Sequence, residues 1–262
     1  MIDLRFRSKS NGVPILSKDD MDFMAEYILR DYSEKALNEP SALDIERFAE
    51  FYMGLQMDYQ DLTHNRSILG MMVFNDCHVP IYDANRREAI YISVDEGTAL
   101  IDSSLLEKDQ KRRGRFTLGH ESGHWIFHRK KYWVNPDQLS LFDTGKMEPV
   151  VKCKTANVES IAQKSRFNTD DDWMEWQADY MSSALLMPKV TFAMAVQELF
   201  KQAGIQEGYY ERGRSVDLDF WAGEIPRILA DIFDVSFQAA AIRLKTLRFV
   251  REKPAIQQLK IC

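Results

Sequence analysis

The chain has 262 residues, 45% hydrophobic and 28% charged, with 12 Gly, 8 Pro and 3 Cys. That is globular composition, long enough to bury a real core in one large domain or one domain plus a small appendage, and it excludes disordered, collagen-like and disulfide-scaffold classes. With 34 basic against 40 acidic residues the formal charge is -6, which excludes a protein that coats nucleic acid or an anionic membrane with its whole surface.

No run approaches the ~20 apolar residues of a membrane span, and Met1 to Arg7 lacks the apolar centre of a signal peptide, so the expected location is the cytoplasm. Cys77, Cys153 and Cys262 are widely spaced with no CxxC pair, as expected of reduced thiols.

In chain order, Ser17-Lys18-Asp19-Asp20 places a capping side chain and two acids before Met21, Met24, Ala25, Ile28 and Leu29, predicting a first helix of about 15 residues. After Pro40 and Ser41, Asp44 to Phe51 gives a second helical period that Gly54 can close. Both helices are expected to cover a sheet. From Leu55 to about Asp102 the runs Leu69–Phe74, Val79–Tyr82 and Ala89–Val94 alternate with the turn formers Asn75-Asp76 and Asp83-Ala84-Asn85. Their connections are too short for crossover helices, so the sheet should be mostly antiparallel. From about Gly114 the chain is mainly helical, apart from an irregular stretch around Asn135 to Asn168. The fold class is therefore α+β. Three parts are expected: N-terminal helices at 1–54 packing on a core at 55–190, and a C-terminal helical region at 191–262.

The chemistry concentrates in Arg115 to His128. His120 and His124 are four apart, so on a helix they leave one face a turn apart and can hold one metal ion. Glu121 then lies beside the ion, where it can take a proton from water. His128 would lie ~12 Å from His120 along a continuous helix, too far to share an ion at ~2 Å, and it is assigned a structural or supporting role. The remaining ligand is expected from Trp173 to Pro188, an apolar helix ended by the proline. There Glu175 and Asp179 share a face, Glu175 binding the metal and Asp179 accepting the other ring N–H of a ligand histidine. Two acids on one stripe of so apolar a helix would be costly to bury without a cation. Three ligands leave a fourth position for water, which Glu121 would deprotonate for attack on a peptide carbonyl. Either Ala89–Val94 or Thr98–Asp102 is expected to offer a free strand edge for an extended substrate. By chemical type, Tyr132, Tyr180, Tyr209, Tyr210 and His128 all qualify as oxyanion donors.

His120-Glu121-Ser122-Gly123-His124, Glu175-x-x-Ala178-Asp179 and Leu185-Leu186-Met187-Pro188 together resemble the ImmA/IrrE family of bacterial zinc metallopeptidases, with a gluzincin type of site. The resemblance covers roughly residues 60 to 250 and is strongest in the two metal-bearing helices. It implies one Zn²⁺ and intracellular cleavage of a specific protein. In this family the target is typically a helix-turn-helix repressor of a mobile element or stress regulon, which makes the enzyme an antirepressor. The segment between His124 and Glu175 is long for the family. It holds Asn135-Pro136-Asp137, Asp143-Thr144-Gly145 and Cys153, and is expected to gate the cleft as an insertion.

Ile225 to Leu244 resembles a helix-turn-helix, with Ser236 as N-cap of the second helix. Between Arg243 and Lys260 six positive residues face Glu252 alone, a local reversal of charge. Asp234 in the turn and Phe237-Gln238 with three alanines beyond it offer few side chains to base edges, so DNA binding is not expected. The run Lys111 to Arg115 reads as a solvated loop. The competing function is a regulator that binds DNA or protein through its C-terminal helices and keeps a non-catalytic metal site.

Overall fold

The computed structural model describes residues 4–132, 150–154, 168–213 and 216–251. The first helix, α1 (Lys18–Tyr32), starts at a capping box in which Ser17 Oγ accepts from the Asp20 amide and the Asp20 carboxylate accepts from the Ser17 amide. It buries Met21, Ala25, Ile28 and Leu29. A 3₁₀ turn (Glu34–Leu37) leads on to α2 (Ile45–Arg47), capped by Asp44, which runs into a π-helical turn (Phe48–Tyr52). Gly54, at φ +71°, reverses the chain as the left-handed region requires.

The strands follow as β1 (Gln56–Gln60), β2 (Ile68–Val73), β3 (Cys77–Asp83), β4 (Glu88–Val94) and β5 (Thr98–Asp102). The long helix α3 (Lys111–Tyr132) precedes β6 (Val150–Lys154). Then come α4 (Asp170–Leu186), α5 (Lys189–Gln202), β7 (Tyr210–Glu211), α6 (Val216–Phe233), α7 (Phe237–Thr246) and β8 (Val250–Arg251). The architecture is α+β.

The central sheet has the order β1-β5-β2-β6. The β5-β2 and β2-β6 pairs are antiparallel, as expected, but β1 runs parallel to β5 because the chain returns to it only after passing through β2, β3 and β4. β3 and β4 form a separate antiparallel ribbon. Along β2 the side chains alternate. Met71 and Val73 pack with Val79, Ile81, Val94 and Leu100 under the ribbon, whereas Met72 and Phe74 join the main core on the α3 side. A bulge between Ile68 and Gly70 breaks this alternation and brings Leu69 to the α3 side as well.

On that side α3 lies across the sheet, with α4 packed against its outer face. The expectation that both N-terminal helices cover the sheet holds for the second alone, whose π turn meets β1. α1 lies against α4 instead, because its inner face carries Asp22, whose buried partners sit on α4 and α7. The main core draws side chains from Leu16 to Leu244. Among the described residues no helix is long and apolar enough to cross a membrane.

Ser236 caps α7 by accepting from the Ala239 amide at 3.1 Å, and Asp234 holds the turn before it at φ +48°. The preceding helix α6 begins well before the expected Ile225 and carries Pro226 inside it. Arg243, counted in sequence as part of the local reversal of charge, is buried. Its Nη2 donates to Asp22 Oδ1 at 2.7 Å, its Nε donates to the Met187 carbonyl at 3.1 Å, and its guanidinium lies 5.6 Å from the Tyr180 ring centre. The local charge reversal is smaller by that residue. Lys253, Lys260 and Cys262 lie outside the described residues.

Candidate metal centre

A helix buried on one face needs one apolar stripe, but α3 is buried on every face from Thr117 to His128. The sheet lies on one side of it and α4 on the other, and small residues let α4 approach. A Cβ on Gly123 would stand 2.9 Å from the Ala178 carbonyl oxygen and 3.0 Å from Ala178 Cα, so only glycine permits this crossing. At Gly119 the neighbour is Ser182 Oγ, 2.5 Å from such a Cβ, and that hydroxyl donates to the Phe116 carbonyl. The glycine inside His120-Glu121-Ser122-Gly123-His124 and the alanine inside Glu175-x-x-Ala178-Asp179 are therefore two halves of one contact. These glycines were visible in the sequence as small residues at helical spacing, without a stated role.

The close crossing brings His120, His124 and Glu175 together, their ligand atoms all within 4.8 Å of one another. The two Nε2 atoms face each other at 2.9 Å. The carboxylate spans them, with Oε1 3.3 Å from His124 Nε2 and Oε2 3.6 Å from His120 Nε2. Asp179, one turn further along α4, stands 2.7 Å from His120 Nδ1, where it accepts a hydrogen bond from the ring N–H and leaves Nε2 as the ligand atom. Two imidazoles and a carboxylate directed at one point are a donor set suited to a divalent ion, and among the described residues this is the group that can hold one. Both histidines are wholly buried, and the site meets solvent through Glu175 and Asp179, whose side chains are 14% and 13% exposed.

Glu121 is also wholly buried, and neither carboxylate oxygen has a hydrogen-bond partner among the described residues. Its Oε1 lies against β2, where Gly70 follows the bulge. A Cβ at residue 70 would run into Glu121 Oε1. Burial pushes the Glu121 carboxyl up to about 8, with Glu175 and Asp179 adding to the rise and His120 opposing it. Burial likewise lowers the pKa of His124, and lowers that of His128 well below the usual imidazole range.

His128 is no ligand. Its Nδ1 lies 2.9 Å from His124 Nδ1 and its Nε2 lies 3.0 Å from Gln177 Oε1. Gln177, on the buried side of α4 between Glu175 and Asp179, was missed in the sequence because a lone glutamine carries no chemical signature. Among the candidate oxyanion donors, Tyr180 is committed to Asp22 at 2.8 Å and Tyr209 stacks against Arg251 at 3.6 Å.

Neither strand expected to offer a substrate edge near the site does so. β5 is paired on both sides, with β1 and with β2, and β4 lies with β3 on the face of the sheet opposite α3. Among the described residues the central sheet has two edge strands, β1 and β6, of which β6 lies next to β2.

The basic run is no solvated loop either. It forms the first turn of α3 and grips the end of α6. Arg112 pairs with Asp231 at 2.7 Å and Asp234 at 3.2 Å. Arg115, mostly buried, donates to the carbonyls of Asp234 at 2.9 Å and Leu43 at 2.7 Å. Asn135-Pro136-Asp137, Asp143-Thr144-Gly145 and the Cys153 side chain lie outside the described residues. Comparison of the chain with known protein families and with curated proteins gave no match.

Proposed function

We propose that this chain is a zinc-dependent endopeptidase of the gluzincin type, similar to the ImmA/IrrE family, acting inside the cell on a specific regulatory protein such as a helix-turn-helix repressor. One observation carries the proposal. His120, His124 and Glu175 converge on a point beside a buried carboxylate, Glu121, which has no hydrogen-bond partner among the described residues and belongs to the residue next to the first ligand. A purely structural site is closed by a fourth protein ligand and needs no adjacent base.

Zinc bound by these three residues would polarise the scissile carbonyl and acidify a water molecule. Glu121 would take a proton from the attacking water and return it to the leaving amine. Asp179 holds the His120 ring in orientation, and Gly70 leaves room for the Glu121 carboxylate. An extended substrate is proposed to add to the outer side of β6, the edge strand next to β2, whose Gly70 faces Glu121. Of the alternative, a regulator binding DNA or protein through its C-terminal helices, the DNA-binding form is weakened by Arg243, which is turned into the core.

The test is metal content with cleavage of the target. Wild type and Glu121→Gln are expected to carry stoichiometric zinc, and Glu175→Ala to lose it. Cleavage should vanish in both variants. Gly70→Ala should keep its metal while losing cleavage, because its Cβ displaces the Glu121 carboxylate. Persistent cleavage by Glu121→Gln would overturn the mechanism.

A further inference from the structure

We infer that the hydrogen-bond chain His124–His128–Gln177–Pro14 sets the tautomer of His124, making the N-terminal segment before α1 a positioning element of the metal centre. The inference rests on the proposed metal site and deepens it. Its direction can be read from the far end. The Pro14 carbonyl can only accept, and it does so twice, from Trp173 Nε1 at 3.1 Å and from Gln177 Nε2 at 2.8 Å. The Gln177 amide group is thereby oriented, with Oε1 toward His128 Nε2 at 3.0 Å. Oε1 accepts, so His128 Nε2 carries the hydrogen. A wholly buried neutral imidazole has one N–H, which leaves His128 Nδ1 as an acceptor. At 2.9 Å from it, His124 Nδ1 must donate, and the lone pair of His124 is then at Nε2, facing Glu175.

The two ligand histidines thus reach the same state by different means. His120 leans on a carboxylate one helix away, whereas His124 leans on three neutral groups that end on a backbone carbonyl. That carbonyl is held in place locally. Ser8 and Pro14 form a β-bridge, and Gly12 between them takes φ +85° to bring the turn against Lys131 at the end of α3. Trp173 and Gln177, one turn apart on α4, clamp it from the other side. A change in this segment would therefore reach His124 through Gln177 without altering a ligand residue.

The test reads tautomers and metal affinity separately. In metal-free wild type with isotope-labelled histidine, above the imidazole titration range, ring-nitrogen shifts should show His124 protonated at Nδ1 and His128 at Nε2. The opposite assignment for either ring would overturn the chain. Zinc affinity by chelator competition should fall roughly 10- to 100-fold in Gln177→Met, which keeps the shape and loses both bonds. Gln177→Glu, which keeps an acceptor for His128, should recover most of that loss. Unchanged affinity in Gln177→Met would overturn the role. If a variant does not fold, the wild-type tautomers decide alone. A wild type with these tautomers that takes up no zinc would sink the peptidase proposal and leave the relay standing as a hydrogen-bond assignment.

Discussion

The seam between α3 and α4 and the seams that tie this pair to the terminal helices are built on opposite principles. Between α3 and α4 the contact is steric. Gly119, Gly123, Ala178 and Ser182 let two backbones approach, and His120, His124 and Glu175 form the group that could hold a metal ion. Toward the termini charges join the apolar contacts: Arg243 on α7 pairs with Asp22 on α1 and donates to the Met187 carbonyl after α4, and Arg112 and Arg115 on α3 meet Asp231 and Asp234. A ligand geometry that must hold to a fraction of an ångström is set by close packing, which has no soft direction. The surrounding helices add directional charge pairs to their apolar contacts, and the value of those pairs depends on burial.

Substitutions on the two seams should therefore fail differently. The largest loss is expected from Arg243→Ala, which strands the buried Asp22 with the Tyr180 hydroxyl as its remaining partner and should cost about 3–5 kcal/mol in denaturant unfolding. In the folded fraction, zinc affinity should stay near wild type. The double replacement Asp22→Leu with Arg243→Met should cost less than Arg243→Ala, since no buried charge is then left alone.

Gly123→Ala comes next and behaves in the other way. Overpacking against the Ala178 backbone should cost about 1–3 kcal/mol, more than the ~1 kcal/mol that alanine returns by helix propensity. Because α4 must back away, zinc affinity should fall with stability. Gly119→Ala meets the movable Ser182 hydroxyl instead of backbone, so its net cost should be about 0–1 kcal/mol, the lost bond to Phe116 set against the same propensity gain. Equal losses at the two glycines would break the steric account. Smallest is Arg112→Ala, an ion pair with an exposed partner, expected to cost under about 1 kcal/mol and to fade with added salt in thermal melts.

The same division explains what the sequence revealed. Features with local causes were legible: the Ser17 capping box, the turn-bounded strands β2 to β4, and the four-residue spacings that put His120 with His124 and Glu175 with Asp179. What escaped depends on distant partners. β1, with its sequence Gln56-Met57-Asp58-Tyr59-Gln60, has no strong apolar alternation and is a strand because β5 returns beside it. β6 sits in a stretch that looked irregular and is defined by its pairing with β2. Arg115 read as part of a solvated loop and Arg243 as part of a local reversal of charge, because the carboxylates and carbonyls that receive them are far away in sequence. His128 could be excluded as a ligand by helix rise alone, but its link to Gln177 and Pro14 needed the fold.

The pairing of Asp22 with Arg243 also spans 221 positions of chain, and this bears on the order in which the molecule assembles. A ribosome releases α1, the sheet strands and both metal-bearing helices well before α7 emerges. Until then Asp22 lacks the cation that makes its burial tolerable, so α1 has reason to stay loosely docked on α4. Closing so long a loop is entropically slow, and the arrival of Arg243 should be a late event in folding, locking a metal centre whose ligands were synthesised earlier.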